Sequence, residues 1–183
     1  MIRVVLLLLS LVGPAQAQDS GLAAWSKIHQ VFSHPRCANC HVGPDNAPIW
    51  SGRSYGAEPR RHGMNINAGP SRIGAETIAC GTCHTPHNSQ LPHGPPGAPG
   101  WMLPPVEMQW SGKSSAEICA QVKDRARNGE RSIAAVAEHV EQAELVHWGW
   151  APGPGREPAP YSAGELAEFI RQWDAAGAPC PAP

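Results

Sequence analysis

The chain has little with which to build a conventional hydrophobic core. It contains only two Phe and two Tyr among 183 residues, whereas Pro and Gly number 20 and 19. Because proline and glycine weaken helices and strands, few long regular elements are expected. Buried apolar area is what holds a small domain together, so the sequence predicts that another source of apolar mass fills the interior.

The chain also lacks an excess of charge of either sign. Its 14 Lys and Arg stand against 15 Asp and Glu, which gives a formal net charge of −1. Nucleic-acid-binding proteins normally carry a strongly basic face, so nucleic acid is not an expected partner. Arg53, Arg60, Arg61 and Arg72 lie in the first half, whereas seven acidic residues lie between Glu138 and Asp174, and such asymmetry can steer a docking protein.

No apolar run is long enough to span a bilayer, which needs about 20 apolar residues. The run Val4–Val12 follows Arg3 and precedes small residues that end at Ala17, which is the layout of a secretory signal peptide. We therefore predict a signal peptide at residues 1–17. The mature chain, residues 18–183, is expected to be a periplasmic protein without a transmembrane segment.

Four of the six cysteines belong to two copies of one pattern. Both Cys37–His41 and Cys80–His84 have the form C-x-x-C-H, which is typical of c-type haem attachment. Two thiols at this spacing can add to the two vinyl groups of one porphyrin, and the adjacent histidine then lies beneath the iron. The sequence thus predicts two covalently bound haems. Their attachment residues would be Cys37, Cys40, Cys80 and Cys83, and their proximal iron ligands His41 and His84.

Two other kinds of site use paired cysteines. A thioredoxin-like redox pair needs no following histidine and normally lies in a βαβ unit, for which this chain has no pattern. A zinc ribbon separates its two pairs by about 15 to 20 residues. Here the interval from Cys40 to Cys80 is much longer than that. Haem attachment therefore fits the motifs better than either alternative.

The remaining cysteines, Cys119 and Cys180, have no haem motif around them. In an exported protein a disulfide is the natural expectation, with free thiols as the alternative. The bond would close a loop of about 60 residues and stabilise the chain by roughly 4 kcal/mol on the chain-entropy estimate.

The first part of the mature chain is helical only at its start. Apolar residues at helical spacing predict a helix from Ser20 to Phe32 that ends before Pro35. Residues 42–78 and 87–105 are rich in Gly, Pro and polar residues and predict irregular loops wrapped around a haem.

The C-terminal part, residues 113–183, has clearer helical signals. Ser114 with Glu117, and Ser162 with Glu165, form capping-box pairs that predict the starts of two helices. No strand is predicted, so the expected fold is all-α with extensive loops, in the style of a small dihaem cytochrome c. The helices of this part are expected at residues 114–128, 133–140 and 162–177.

Each iron has one further axial position, whose ligand decides between electron transfer and ligand binding. His62 and Met64 follow His41 in the loop between the two motifs. One iron can take only one of them, because alternate side chains of an extended segment lie about 6 to 7 Å apart. We favour His62, with Met64 as the alternative, and Arg60 and Arg61 are available to bind haem propionates.

For the second iron the expected distal ligand is Met102. It follows His84 at an interval similar to that between His41 and His62, next to Trp101 and two prolines that fix the local backbone. Met108 and His147 are the alternatives. A methionine ligand would raise the potential of the second haem above that of the first, so electrons would pass from the first to the second.

Most of the mature chain resembles a family of small exported haem-motif proteins that are associated with periplasmic molybdenum oxidoreductases and sometimes labelled isoquinoline oxidoreductase subunits. The resemblance implies a periplasmic oxidoreductase as redox partner. In that family the position of Met102 often carries a histidine, and an exchange between two iron-binding residue types is typical of an axial ligand. The matching residues are 37–41, His62, 80–84, 97–105, 118–131, 146–156 and 169–181.

These features together predict an electron-transfer protein rather than an enzyme. A periplasmic dihaem cytochrome would accept electrons from a dehydrogenase and pass them to a respiratory acceptor protein. The alternative is a small haem enzyme, a peroxidase or a thiosulfate-type oxidoreductase, in which one iron keeps an open axial site.

Overall fold

The computed structural model describes residues 14–75 and 78–183, so most of the predicted signal peptide lies outside the described residues. Helices dominate the regular structure, as the sequence predicts. In the described ranges no helix is both long and apolar enough to cross a membrane. The helices are α1 (Pro14–Phe32), α2 (Pro35–Ala38), α3 (Ser115–Lys123), α4 (Ile133–Gln142), α5 (Glu144–His147) and α6 (Ala163–Ala175).

The expectation of a chain without strands is wrong. Strands β1 (Ile49–Gly52) and β2 (Gly56–Arg61) form an antiparallel hairpin, and β3 (Gly74–Ala75) and β4 (Ile78–Ala79) form a second, very short pair. The turn of the hairpin depends on glycine, because Gly52 and Gly56 have φ angles of 109° and 93°.

Both predicted capping boxes are present. At α3 the Ser114 hydroxyl accepts a hydrogen bond from the Glu117 amide, and the Glu117 carboxylate accepts one from the Ser114 amide. Ser162 and Glu165 make the same reciprocal pair at α6. These bonds satisfy amide groups that have no partner within the first turn of a helix.

Helix α3 is shorter than predicted. It ends at Lys123, whereas the sequence pattern extends to Asn128. The Asp124 carboxylate accepts a hydrogen bond from the Ala126 amide at 3.0 Å, and Asp124 itself has a ψ angle of 109°. This local bond between an aspartate side chain and the backbone competes with the next helical turn.

Helices α1, α3, α4 and α6 enclose one hydrophobic core. At its centre the rings of Trp25 and Trp173 lie 4.9 Å apart, and both indole N–H groups are satisfied, by the Ser115 hydroxyl and by a backbone carbonyl. The predicted disulfide is confirmed: Cys119 in α3 is bonded to Cys180 beyond α6, with their Cα atoms 5.7 Å apart. This core is therefore built from helices and one covalent bond.

The loops between α2 and α3 are held differently. Their buried cluster consists of Val42, Ala68 and Leu103. The buried Arg72 cross-links the backbone there, because its guanidinium donates to the carbonyls of Val42 and Gly43 and to the Asn46 side chain. A buried arginine thus stabilises a region that has little apolar packing of its own.

Candidate functional site

The first C-x-x-C-H motif begins on the short helix α2. The His34 imidazole caps this helix by accepting a hydrogen bond from the Arg36 amide at 3.2 Å, and Pro35 occupies the first turn. The turn continues past α2, since the amides of Cys40 and His41 both donate to the carbonyl of Cys37. A helical turn therefore brings Cys37, Cys40 and His41 close together.

His41 is held from a distant part of the chain. Its Nδ1–H donates to the carbonyl of Met108 at 2.8 Å, and its ring stacks on Trp110 with centroids 3.5 Å apart. Burial lowers the pKa of His41 to about 3, although the residue as a whole is only half-buried. The imidazole is therefore neutral, with Nε2 as the nitrogen left for a metal.

The second motif repeats this construction. His84 Nδ1–H donates to the carbonyl of Pro96 at 2.8 Å, and the ring stacks on Trp101 with centroids 4.6 Å apart and planes within 4°. Burial lowers the pKa of His84, against the opposing effect of the Pro96 hydrogen bond. In both motifs a backbone carbonyl fixes the tautomer and a tryptophan fixes the ring plane.

His62 lies next to His84. Its Nδ1–H donates to the carbonyl of Gly63 at 2.8 Å, so its Nε2 is also left for a ligand. The ring centroids of His62 and His84 are 5.8 Å apart, with planes inclined by 67°. With metal–nitrogen bonds of about 2 Å and ring centres about 1 Å behind the bonding nitrogen, two imidazoles on opposite sides of one metal have centroids about 6 Å apart. The observed separation fits two ligands of a single iron.

The two histidines face one cavity of about 310 Å³. This volume lies at the lower end of the range of small-molecule sites, about 300 to 1,000 Å³. Its aromatic wall includes Trp50, Trp101 and Trp148, which suits a planar apolar group. Motif and candidate ligand residues on the wall are Cys40, Cys80, Cys83, His62, His84, Met64 and Met102.

The residues around the cavity would suit a haem at the second motif, because Cys80, Cys83, His84 and the imidazole of His62 all line it. It also adjoins the first motif through Cys40. Cys37 instead packs against the helical core. His41 does not line the cavity. It contacts the carbonyl of Met108 and the ring of Trp110 instead.

The other candidate distal ligands differ in position. Met64 and Met102 lie at the rim of the cavity and are 80% and 43% exposed. Met108 is buried in the helical core, and its carbonyl binds the Nδ1 side of His41, which faces away from any metal at Nε2. His147 is exposed, and its Nε2–H donates to the carbonyl of Glu141.

The motif cysteines are free thiols rather than disulfides. Burial raises the pKa of Cys37 to about 12 and that of Cys40 to about 11, and it also raises the pKa of Cys80. A dithiol redox pair acts through its thiolate form, so thiols whose pKa is raised in this way are unsuited to that alternative.

The arginines on the cavity wall are not the expected ones. Arg61 projects outward and pairs with Asp45 at 2.9 Å, whereas Arg36 and Arg156 line the cavity. Arg36 could have been noticed from the sequence because it directly precedes Cys37. Arg156 is far from both motifs along the chain, and only the fold brings it to the site.

Comparison of the chain with family models, with curated proteins and with solved structures finds no match. Its function is therefore inferred from its own residues and their geometry.

Proposed function

We propose that this protein is a periplasmic dihaem c-type cytochrome that accepts electrons from an oxidoreductase and passes them to an acceptor protein. The observation that carries the proposal is the facing pair His62 and His84, at 5.8 Å between ring centroids, in a cavity that Cys80 and Cys83 also line. A haem bound there supplies a one-electron couple between ferric and ferrous iron.

The chain's own contribution is to hold the ligands ready. The backbone carbonyls of Pro96 and Gly63 orient the two imidazoles before any metal binds, and Trp101 restricts the plane of His84. Ligands fixed in this way need little rearrangement between oxidation states. If both histidines bound one iron, no axial position would be left for a substrate, which would favour electron transfer over catalysis.

This pairing differs from the sequence expectation, in which His62 serves the haem at His41 and Met102 serves the haem at His84. On the proposed arrangement Met102 covers the rim of the cavity and is not an iron ligand. The expected order of potentials therefore changes, because the second haem no longer gains the increase that methionine ligation gives.

At the first motif Cys37 and Cys40 would attach the haem and His41 would be its proximal ligand. His41 has the same carbonyl-bound Nδ1 as His84, which supports the same role for its Nε2. The disulfide Cys119–Cys180 supports export, since such bonds persist in oxidising compartments.

A second candidate function is a small haem enzyme with an open axial site at the first iron. The observation that favours it is the packing at His41. Within the described residues, its ring stacks on Trp110 and no second imidazole ring packs against it. Carbon monoxide binding to the reduced protein distinguishes the two functions. An electron-transfer cytochrome binds none at either iron, whereas the enzyme binds it at the first.

Haem content tests the proposal most simply. The exported protein is expected to give two haems per chain in a pyridine haemochrome assay, and the Cys80→Ser, Cys83→Ser double variant one. Intact mass should show both groups to be covalently bound. A secreted protein with the mass of the bare polypeptide would overturn the proposal.

A further inference from the structure

Arg36 is a buried cation with too few hydrogen-bond acceptors around its guanidinium. It is 5% exposed, lies between Pro35 and Cys37 in α2, and lines the cavity. One of its terminal nitrogens donates to the carbonyl of Ser51 at 3.2 Å, but its Nε has no acceptor. An unpaired buried donor on a charged group is costly, so a further acceptor is expected at this wall.

The nearest carboxylate does not fill this role. Glu157 lies 3.7 Å from Arg36 Nη2, which is too long for a hydrogen bond. Its two oxygens instead accept from the Arg53 amide at 2.9 Å and from the Ser54 hydroxyl at 2.7 Å. Glu157 therefore gives Arg36 only partial charge compensation.

A second guanidinium, that of Arg156, also lines the cavity. Its hydrogen bonds go to the carbonyls of Pro152 and Gly94 rather than to a carboxylate. It is close enough to Arg36 to repel it, and burial together with this repulsion lowers the pKa of Arg36 against the attraction of Glu157. Arg36 thus has one distant carboxylate partner, and Arg156 is bonded to backbone carbonyls.

We propose that Arg36 and Arg156 together bind a carboxylate of the molecule that occupies the cavity. Guanidinium groups match carboxylates with two parallel hydrogen bonds, and a desolvated site strengthens such bonds. On the proposed function, on which this source depends, the carboxylate is a haem propionate. The same chemistry would also hold a free carboxylate ligand.

This anchor would fix the rotation of the macrocycle about the axis between His62 and His84. The arginine side chains are themselves held in place, since Arg36 lies 5.6 Å over the ring of Trp148 and Arg156 5.9 Å over that of Tyr55. A cation held beside the macrocycle would also favour the reduced state, which carries one less positive charge.

The test uses the exported full chain with Arg36→Gln, Arg36→Lys and Arg156→Gln. Arg61→Gln is the matched control, because it removes the same charge from an outward-facing residue that pairs with Asp45. Midpoint potentials are measured by spectropotentiometry between pH 5 and 8, at equal haem content. A second arm titrates wild type and variants with succinate, a free dicarboxylate probe.

For a propionate we expect Arg36→Gln to shift the reduced-to-oxidised ratio about tenfold toward oxidised, which is about 59 mV for one electron. Arg156→Gln should shift this ratio in the same direction, and Arg36→Lys should shift it by less. The control Arg61→Gln should leave the ratio almost unchanged. Potentials in the glutamine variants should also vary more with pH, because the carboxylate protonates more readily, and succinate should not bind.

Succinate binding to wild type that weakens tenfold or more in Arg36→Gln, with unchanged potentials, would assign the anchor to a free carboxylate. Equal potentials and equal succinate behaviour in all four variants and wild type would overturn the anchor. If the secreted protein carries no haem, the proposed function fails. Calorimetric titration with succinate then tests, without any haem, whether Arg36 and Arg156 bind a carboxylate.

Discussion

The helical part of the protein and the part around the cavity are stabilised by different means. Helices α1, α3, α4 and α6 contribute to a core cluster of 19 buried residues, and a disulfide joins α3 to the segment that follows α6. The cluster of the loop region consists of Val42, Ala68 and Leu103, beside a cavity of about 310 Å³. We therefore expect the helical part to be stable by itself and the loop region to depend on a bound group for its apolar mass.

The largest effect is expected in the helical core. Trp173→Ala removes a fully buried ring that packs on Trp25 and should lower the free energy of unfolding by about 3 to 5 kcal/mol. Urea denaturation followed by circular dichroism measures it. The control Leu91→Ala, at a residue that is 70% exposed, should change it by less than about 0.5 kcal/mol. If the two substitutions lowered the free energy of unfolding equally, the helical core would not be the main source of stability.

A smaller effect is expected where the bound group is lost. The Cys80→Ser, Cys83→Ser variant cannot attach a haem at the second motif, so the loops at residues 42–105 should open more often. Limited proteolysis should cut there at least about tenfold faster, equivalent to about 1.4 kcal/mol, with residues 114–176 still protected. An unchanged cleavage rate in the loops would mean that this region is stable without its ligand.

The smallest effect concerns one helix end. Ser162→Ala removes the hydroxyl that accepts from the Glu165 amide at 3.2 Å and should cost about 1 kcal/mol of unfolding free energy. Ser26→Ala, at an exposed position within α1, serves as the control and should be close to neutral. If both variants were neutral, the capping box would not contribute to the helical part.

Features that depend on neighbouring residues could be predicted from the sequence. Both capping boxes and the helices that they begin are local patterns, and the disulfide followed from two leftover cysteines in a chain with a signal-like start. The end of α3 was misjudged because the side chain of Asp124 competes with the backbone, which apolar spacing does not reveal. The hairpin was missed because polar, glycine-rich strands lack an alternating apolar pattern.

Features that depend on the path of the loops could not be predicted. His62 lies almost midway along the chain between His41 and His84, so spacing alone favours neither histidine as its counterpart. Hydrogen bonds of the loops, such as that from the His62 amide to the carbonyl of Pro48, settle its position. Arg156 likewise reaches the cavity through tertiary structure.

His62 and His84 are proposed to bind the same iron. Near-infrared magnetic circular dichroism distinguishes histidine–histidine from histidine–methionine ligation. It should be applied to the Cys37→Ser, Cys40→Ser protein, which keeps only the second haem.

We expect the histidine–histidine spectrum in this protein and after an added Met102→Leu, and its loss after an added His62→Ala. A histidine–methionine spectrum that Met102→Leu abolishes and His62→Ala leaves intact would show that Met102, and not His62, is the second ligand of this iron.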